Sequence, residues 1–218
     1  MISVSDFSKL MPDRFLRAAI NRSRLRSSGT YPEFIEQLYL DIDDQLYDMQ
    51  AGRELRQKDS EDRLSADIVC GLRRHGYTAV GDAKHGGHID VSVELGEFTW
   101  IGEAKKDGNF REGFLQLMTR YVPASGNYSH NQGGLIFYFV NTPDAKGKLD
   151  SWRGELTQNG SVCSDCSKNV LAFYSDHTLQ GPGTAFKVRT MGVSIFHEPK
   201  DKSARISAAK KAAKKKTA

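Results

Sequence analysis

The sequence predicts a mixed α/β fold, a β-sheet flanked by helices, and three observations carry that prediction. Apolar residues recur at helical spacing through residues 31–50. Between 77 and 106, β-branched and aromatic residues alternate with polar ones around a glycine turn. After residue 130, short apolar runs alternate with one more helical segment. The 218 residues, 39% hydrophobic and 27% charged, suffice for one domain with a core plus appendages.

The elements follow in chain order. Residues 1–58 contain no strand-like alternation and read as a helical region. An Arg-rich stretch (Arg14, Arg17, Arg22, Arg24, Arg26) precedes YPEFIEQLYLDIDDQLYDMQ, which has six acids and no Lys or Arg. There Phe34, Leu38, Ile42 and Leu46 recur every four residues, with Ile35 and Tyr39 alongside, as in an amphipathic helix. The basic and acidic segments can pair within one protomer or between two, and the second arrangement would make a homo-oligomer through these helices.

A further helix starts at the N-cap Ser60, carries the stripe Leu64, Ile68, Leu72 and stops at Gly76. YTAVGDAKHGGHIDVSVELGEFTWIGEAKK then folds as a hairpin about Leu95-Gly96. REGFLQLMTRYV resumes helical spacing, and GGLIFYFVN fits a buried strand. A helix over AKGKLDSWRGELTQ precedes two strands, VLAFYSDHT and AFKVRTMGVSIFH. There is no internal repeat.

Charge and composition narrow the function classes. The longest apolar run, LIFYFV, is far too short to cross a bilayer, and MISVSDFSKLM lacks the apolar segment of a secretory signal. With three cysteines, an odd count, the reading expects a reducing, cytoplasmic setting. Net charge is +4, but residues 200–218 hold eight Lys/Arg against one Asp; removing that +7 leaves −3 for residues 1–199. A Lys/Ala-rich block of this kind reads as a disordered basic arm for a polyanion, with Lys210, Lys211, Lys214, Lys215 and Lys216 as phosphate contacts, or as a solubility tail. Cys163-Ser-Asp-Cys166 is a single CxxC without a second pair at zinc spacing and reads as a loop.

The chemistry concentrates in the hairpin. Side chains two apart on a strand share a face, so Glu103 and Lys105 stand together while Ala104 turns away. With Leu95-Gly96 as the two-residue loop, Asp90 pairs with Ile101 and lies diagonal to Glu103, about 7 Å away at Cα. Two carboxylates that close can hold one hard divalent cation between them, and without it they repel. Ile89, Val91 and Val93 should then face the other way, into the core.

Asp90 followed by Glu103-Ala104-Lys105 resembles the D…(D/E)-x-K signature of the PD-(D/E)xK nuclease superfamily, the restriction-endonuclease-like fold. HGGHID and the helix ending RRHGY resemble that family's approach to its first catalytic strand, and the likeness covers residues 60–140. It implies a nuclease-like domain over 59–199, Mg2+ (or Mn2+) as cofactor, and hydrolysis of a nucleic-acid phosphodiester, with duplex DNA the expected substrate. Carried across, Asp90 and Glu103 become metal ligands together with the Ala104 carbonyl, and Lys105 orients the attacking water.

Relatives often place another acid on the preceding helix. Glu61 is the candidate, one turn before Leu64, although first-turn acids also serve the helix dipole. Gln116 and Tyr121 resemble a Q-x-x-x-Y motif with one residue too many, leaving Gln116 as a water or substrate contact. His88 shares the face of Asp90; Lys106 alternates to the other face. Ile89 stands where the family's eponymous proline would be. The alternative is a non-catalytic nucleic-acid-binding or scaffold protein with this fold, or an RNase.

Overall fold

The computed structural model describes residues 13–84, 88–121 and 130–201. Among the described residues, five α-helices, α1 (Arg14–Ser28), α2 (Tyr31–Ala51), α3 (Glu61–Arg74), α4 (Phe110–Gln116) and α5 (Ala145–Gln158), accompany nine strands. The strands are β1 (Thr78–Val80), β2 (Ala83–Lys84), β3 (His88–Ile89), β4 (Val91–Leu95), β5 (Phe98–Lys106), β6 (Gln132–Phe139), β7 (Val162–Asp165), β8 (Ala172–Thr178) and β9 (Ala185–Ser194). Seven of them form one sheet in the order β1-β4-β5-β6-β9-β8-β7; β2 and β3 make a separate ribbon. The β5–β6 and β6–β9 pairs are parallel and the other pairs of the sheet antiparallel, so the sheet is mixed.

Strand alternation divides the apolar residues between two cores. Val91, Val93, Trp100, Ala104, Ile136, Tyr138, Met191 and Val193 pack toward α2 and α3, against Phe34, Leu38, Ile42, Leu46, Leu64, Ile68 and Leu72. The opposite faces of β5, β6 and β9 send Ile101, Leu135, Phe137, Phe139, Phe186 and Val188 toward Leu149, Trp152 and Leu156 of α5. Helices therefore cover both sides of the sheet, and the stripes predicted for α2 and α3 are the buried ones. Among the described residues, no helix is long and apolar enough to cross a membrane.

Local chemistry sets the helix ends. Asp13 accepts the N–H groups of Phe15 and Leu16 to start α1; Thr30 and Glu33 form a capping box for α2; the Ser60 hydroxyl accepts the Arg63 N–H to start α3. The basic and acidic segments pair within the chain: Arg22 meets Asp41 at 2.8 Å, Arg24 meets Glu33 at 2.8 Å and Arg14 meets Asp44 at 3.5 Å. Asp41, 2% exposed, also accepts Gln37 Nε2 at 3.1 Å and the Tyr77 hydroxyl at 2.6 Å. Buried charge is thereby compensated where α1, α2 and the end of α3 meet.

Three expectations need correction. The hairpin loop is Gly96-Glu97, with Leu95 paired to Phe98, not Leu95-Gly96. Leu95 and Phe98 are both buried, and a loop containing Leu95 would expose it; Gly96 takes the positive φ of 63° at the first loop position, as a type II′ turn requires. Ile89 is buried, but in the α5-side core with Ile101 and Leu135, whereas Val91 and Val93 are in the other. Alternation breaks at Asp90, a bend between β3 and β4. Cys163 lies in β7 rather than in a loop, because 162–165 pairs with Phe173–Asp176 of β8; Cys166 follows the strand.

Candidate active site

The site forms where β4 leaves β5. Their ladder ends at Val91–Gly102, while β5 continues to Lys106 against β6, where Lys106 pairs with Tyr138. Backbone N–H groups of Ala104 and Lys106 on the vacated side would lack acceptors. Asp90 Oδ2 accepts from Ala104 N–H at 2.8 Å, and Glu61 Oε2 from Lys106 N–H at 2.6 Å. Two carboxylates thus replace the carbonyls of the missing strand. N–H and C=O of one strand residue point to the same neighbour, so the Ala104 carbonyl also faces the Asp90 side.

The register shift moves the pairing by two residues and so preserves the face. Continued past Val91–Gly102, it sets Asp90 across from Glu103 itself rather than diagonal to it. Lys105 Nζ donates to Glu103 Oε1 at 2.5 Å and lies 3.9 Å from Asp90 Oδ2 and 3.7 Å from Glu61 Oε1. One ammonium therefore faces three carboxylates. Glu103 is 2% exposed, and its Oε2 has no hydrogen-bond partner.

Electrostatics follow from that crowding. Burial raises the Glu103 carboxyl to about 7; Lys105 opposes the rise and neighbouring Asp90 adds to it. Asp90 is also raised, chiefly by burial, against the pull of the Ala104 N–H and Lys105. Glu61 is raised by burial and lowered in part by Lys105 and the Lys106 N–H. For Lys105, burial works downward, but Glu103, Asp90 and Glu61 together hold the ammonium above its ordinary range. These are groups crowded by one another and short of positive charge.

Helix α4 closes one side. A Cβ on Gly113 would lie 3.0 Å from Lys105 Cγ and 3.7 Å from Glu103 Cγ, so this glycine lets the helix backbone rest on the two side chains. Gln116, one turn on, shares that helix face, and its Oε1 is buried without a partner. The turn into α4 is fixed by Asp107, which the sequence reading passed over. Its Oδ1 accepts the N–H groups of Val140 and Asn141 at 2.7 and 2.8 Å, while Asp107 and Asn109 take left-handed φ of 52° and 59°. The available signal was Asp-Gly-Asn between a strand and a helical run.

Of the residues singled out in the sequence, Asp90, Glu103, Ala104, Lys105 and Glu61 come together, and Gln116 lies on the helix over them. Lys106, on the other face, also has a part here: its N–H holds Glu61 and its Nζ donates to the Asp59 carbonyl at 2.7 Å. The side chains of His88 and Tyr121, and Lys210, Lys211, Lys214, Lys215 and Lys216, lie outside the described residues. No family model, curated protein or solved structure matches the chain.

Among the described residues, no three or more His, Cys, Asp and Glu side chains gather closely enough to hold a metal ion. Magnesium asks for less: one or two carboxylates, with water and substrate oxygens completing the octahedron. The donors here are all hard oxygens, and Glu103 Oε2, which has no hydrogen-bond donor against it, lies beside the Asp90 carboxyl, where either a shared proton or a cation would relieve the two. The residues fit such an ion.

Proposed function

We propose that the chain is a metal-dependent phosphodiester hydrolase of restriction-endonuclease-like fold, with DNA as its substrate. The observation that carries this reading is the convergence of Asp90, Glu103, Lys105 and Glu61 at the free edge of β5. A surface ion pair would need neither a 2%-exposed carboxylate nor an orphaned Oε2.

Asp90 and Glu103, with the Ala104 carbonyl, would hold Mg2+ (or Mn2+). That ion would polarise the phosphoryl oxygen and lower the pKa of bound water. The chain's residues do the rest. Metal charge at Glu103 would replace the neutralisation now supplied by Lys105, freeing the ammonium to orient water or meet a phosphate oxygen. Glu61, tethered to the Lys106 N–H, keeps its other oxygen toward Lys105. Gln116 Oε1 would accept from the water or substrate. DNA as substrate rests on the family likeness alone.

The decisive assay incubates the full chain with plasmid, linear duplex, single-stranded DNA and RNA, in Mg2+ or in EDTA. Cleavage of DNA that EDTA abolishes is expected. Asp90→Ala, Glu103→Ala and Lys105→Ala should each lower it at least about 100-fold, as losing a transition-state contact does. Near-wild-type cleavage by any of these variants would sink the assignment, and cleavage confined to RNA would move the substrate class.

A further inference from the structure

Glu61 and Lys105 belong to opposite layers of the molecule. Ala104 packs on the side of α2 and α3, and Lys106, two residues on, shares that face. Ile101 faces the α5 side, and Glu103 and Lys105 alternate with it onto that face. Glu61 starts in the first turn of α3, yet its Oε1 lies 3.7 Å from Lys105 Nζ. Its carboxylate therefore reaches around the free edge of β5 to an ammonium on the far side. Such a reach depends on where the helix begins relative to the strand.

Lys106 sets that distance with two bonds. Its N–H donates to Glu61 Oε2 at 2.6 Å, and its Nζ donates at 2.7 Å to the carbonyl of Asp59, two residues before Glu61. The second bond is charge-assisted. Asp59 sits in a braced turn: its N–H donates to the Arg56 carbonyl at 3.1 Å, and Arg56 pairs with Asp59 at 3.4 Å and Asp67 at 2.5 Å. Gln57 ties the same turn to the Ile195 carbonyl beyond β9. Toward β5, among the described residues, both hydrogen bonds that residues 56–61 accept come from Lys106.

We propose that Lys106 is a positioning residue of the site: its ammonium, bound to the Asp59 carbonyl, keeps Glu61 on the Lys106 N–H and so against Lys105. This inference rests on the hydrolase reading of the site. Without the ammonium, the first turn of α3 loses its side-chain tie to β5, and the partly exposed Glu61 carboxylate can exchange the N–H for water. Lys105 then loses one of its three carboxylates, and its ammonium moves toward Glu103 and Asp90. A shift of that kind costs rate although Lys106 itself lies on the other face from the reacting groups.

Lys106→Met removes the ammonium and leaves the apolar stem and the backbone N–H. Amide hydrogen exchange of the metal-free full chain, followed by NMR, reads the two amides of β5 that carboxylates hold. The amide at position 106 should exchange at least about tenfold faster than in wild type, while that of Ala104, held by Asp90, changes less than about twofold. A general loss of stability would speed both, and that outcome overturns the proposal. In the cleavage assay, Lys106→Met should lower kcat about tenfold and leave KM within about twofold. The same substitution should have almost no effect in a Glu61→Ala background, because a residue that acts through another is not additive with it. Unchanged exchange at position 106 overturns the proposal, and so does an equal loss of kcat with and without Glu61. Absence of cleavage by the wild type would instead remove the hydrolase reading, and exchange at position 106 would still decide whether Lys106 holds Glu61.

Discussion

Glu103 sits where its charge is hardest to accommodate, and stability should report this without any cleavage assay. Its carboxyl titrates near 7 in the folded chain, against 4.5 as the ordinary value. Below about pH 4.5 both folded and unfolded states hold the proton and Glu103 contributes no pH dependence. Between those two values the unfolded chain loses the proton first, so folding becomes less favourable as pH rises; above about 7 the loss is complete. At about 1.4 kcal/mol per pH unit, that interval is worth about 3 kcal/mol in the metal-free protein. Glu103→Gln removes the titration. Metal-free wild type should therefore lose thermal stability relative to Glu103→Gln between pH 5 and 7 and run parallel to it above that. Parallel curves throughout would mean that Lys105 already neutralises Glu103 fully. Added Mg2+ should recover stability in wild type and not in the variant, because an ion binding only the folded state stabilises it by mass action.

At the scale of elements, α4 over β5 provides the sharpest test, because its two effects oppose each other. Gly113→Ala favours the helix by up to about 1 kcal/mol, yet it brings a Cβ to 3.0 Å from Lys105 Cγ. Lys105 must give by a few tenths of an ångström, and its ammonium serves three carboxylates. Thermal stability should change by less than about 1 kcal/mol while cleavage falls about tenfold or more, since misplacement alone can cost rate. Equal cleavage would show that Lys105 has room to spare.

The same scale explains what the sequence made legible. Four-residue spacing exposed the α2 stripe, and an uninterrupted helical pattern bounded α5, because a single face of each helix is buried. Hairpin parity was legible too, and parity alone puts Asp90 with Glu103. The exact loop was not, since Leu95 prefers burial over a place in the turn. Nor was the reversal at Ile89, because a bend is set by where the Asp90 carboxylate finds the Ala104 N–H, a contact across 14 residues. The capture of Lys106 N–H by Glu61 spans 45 residues and has no local signature at all.

For the molecule as a whole, the proposed substrate sets a charge problem: DNA is a polyanion, and residues 1–199 carry a net charge of −3. The Arg-rich helix is poorly placed to supply the charge: Arg22 and Arg24 pair with Asp41 and Glu33, and Arg26 donates to the Gly76 carbonyl. The remaining basic block is the tail, with Lys210, Lys211, Lys214, Lys215 and Lys216. If those lysines meet phosphates, each releases condensed counterions, and log K falls with log salt by about 0.9 per contact on duplex DNA. Deleting residues 200–218 should then weaken binding at low salt and flatten the slope by about 4 to 5 for five contacts. The loss should be alike for all duplex sequences, because lysines contacting phosphates carry no base information. The rate of cleavage at saturating substrate should hardly change, since Asp90, Glu103 and Lys105 all remain. Binding of full-length and truncated protein to one duplex across a salt series measures this. Superimposable slopes would make the tail a solubility appendage and return substrate capture to the body, where Arg17 and the rim of the β5 site would be the next residues to neutralise.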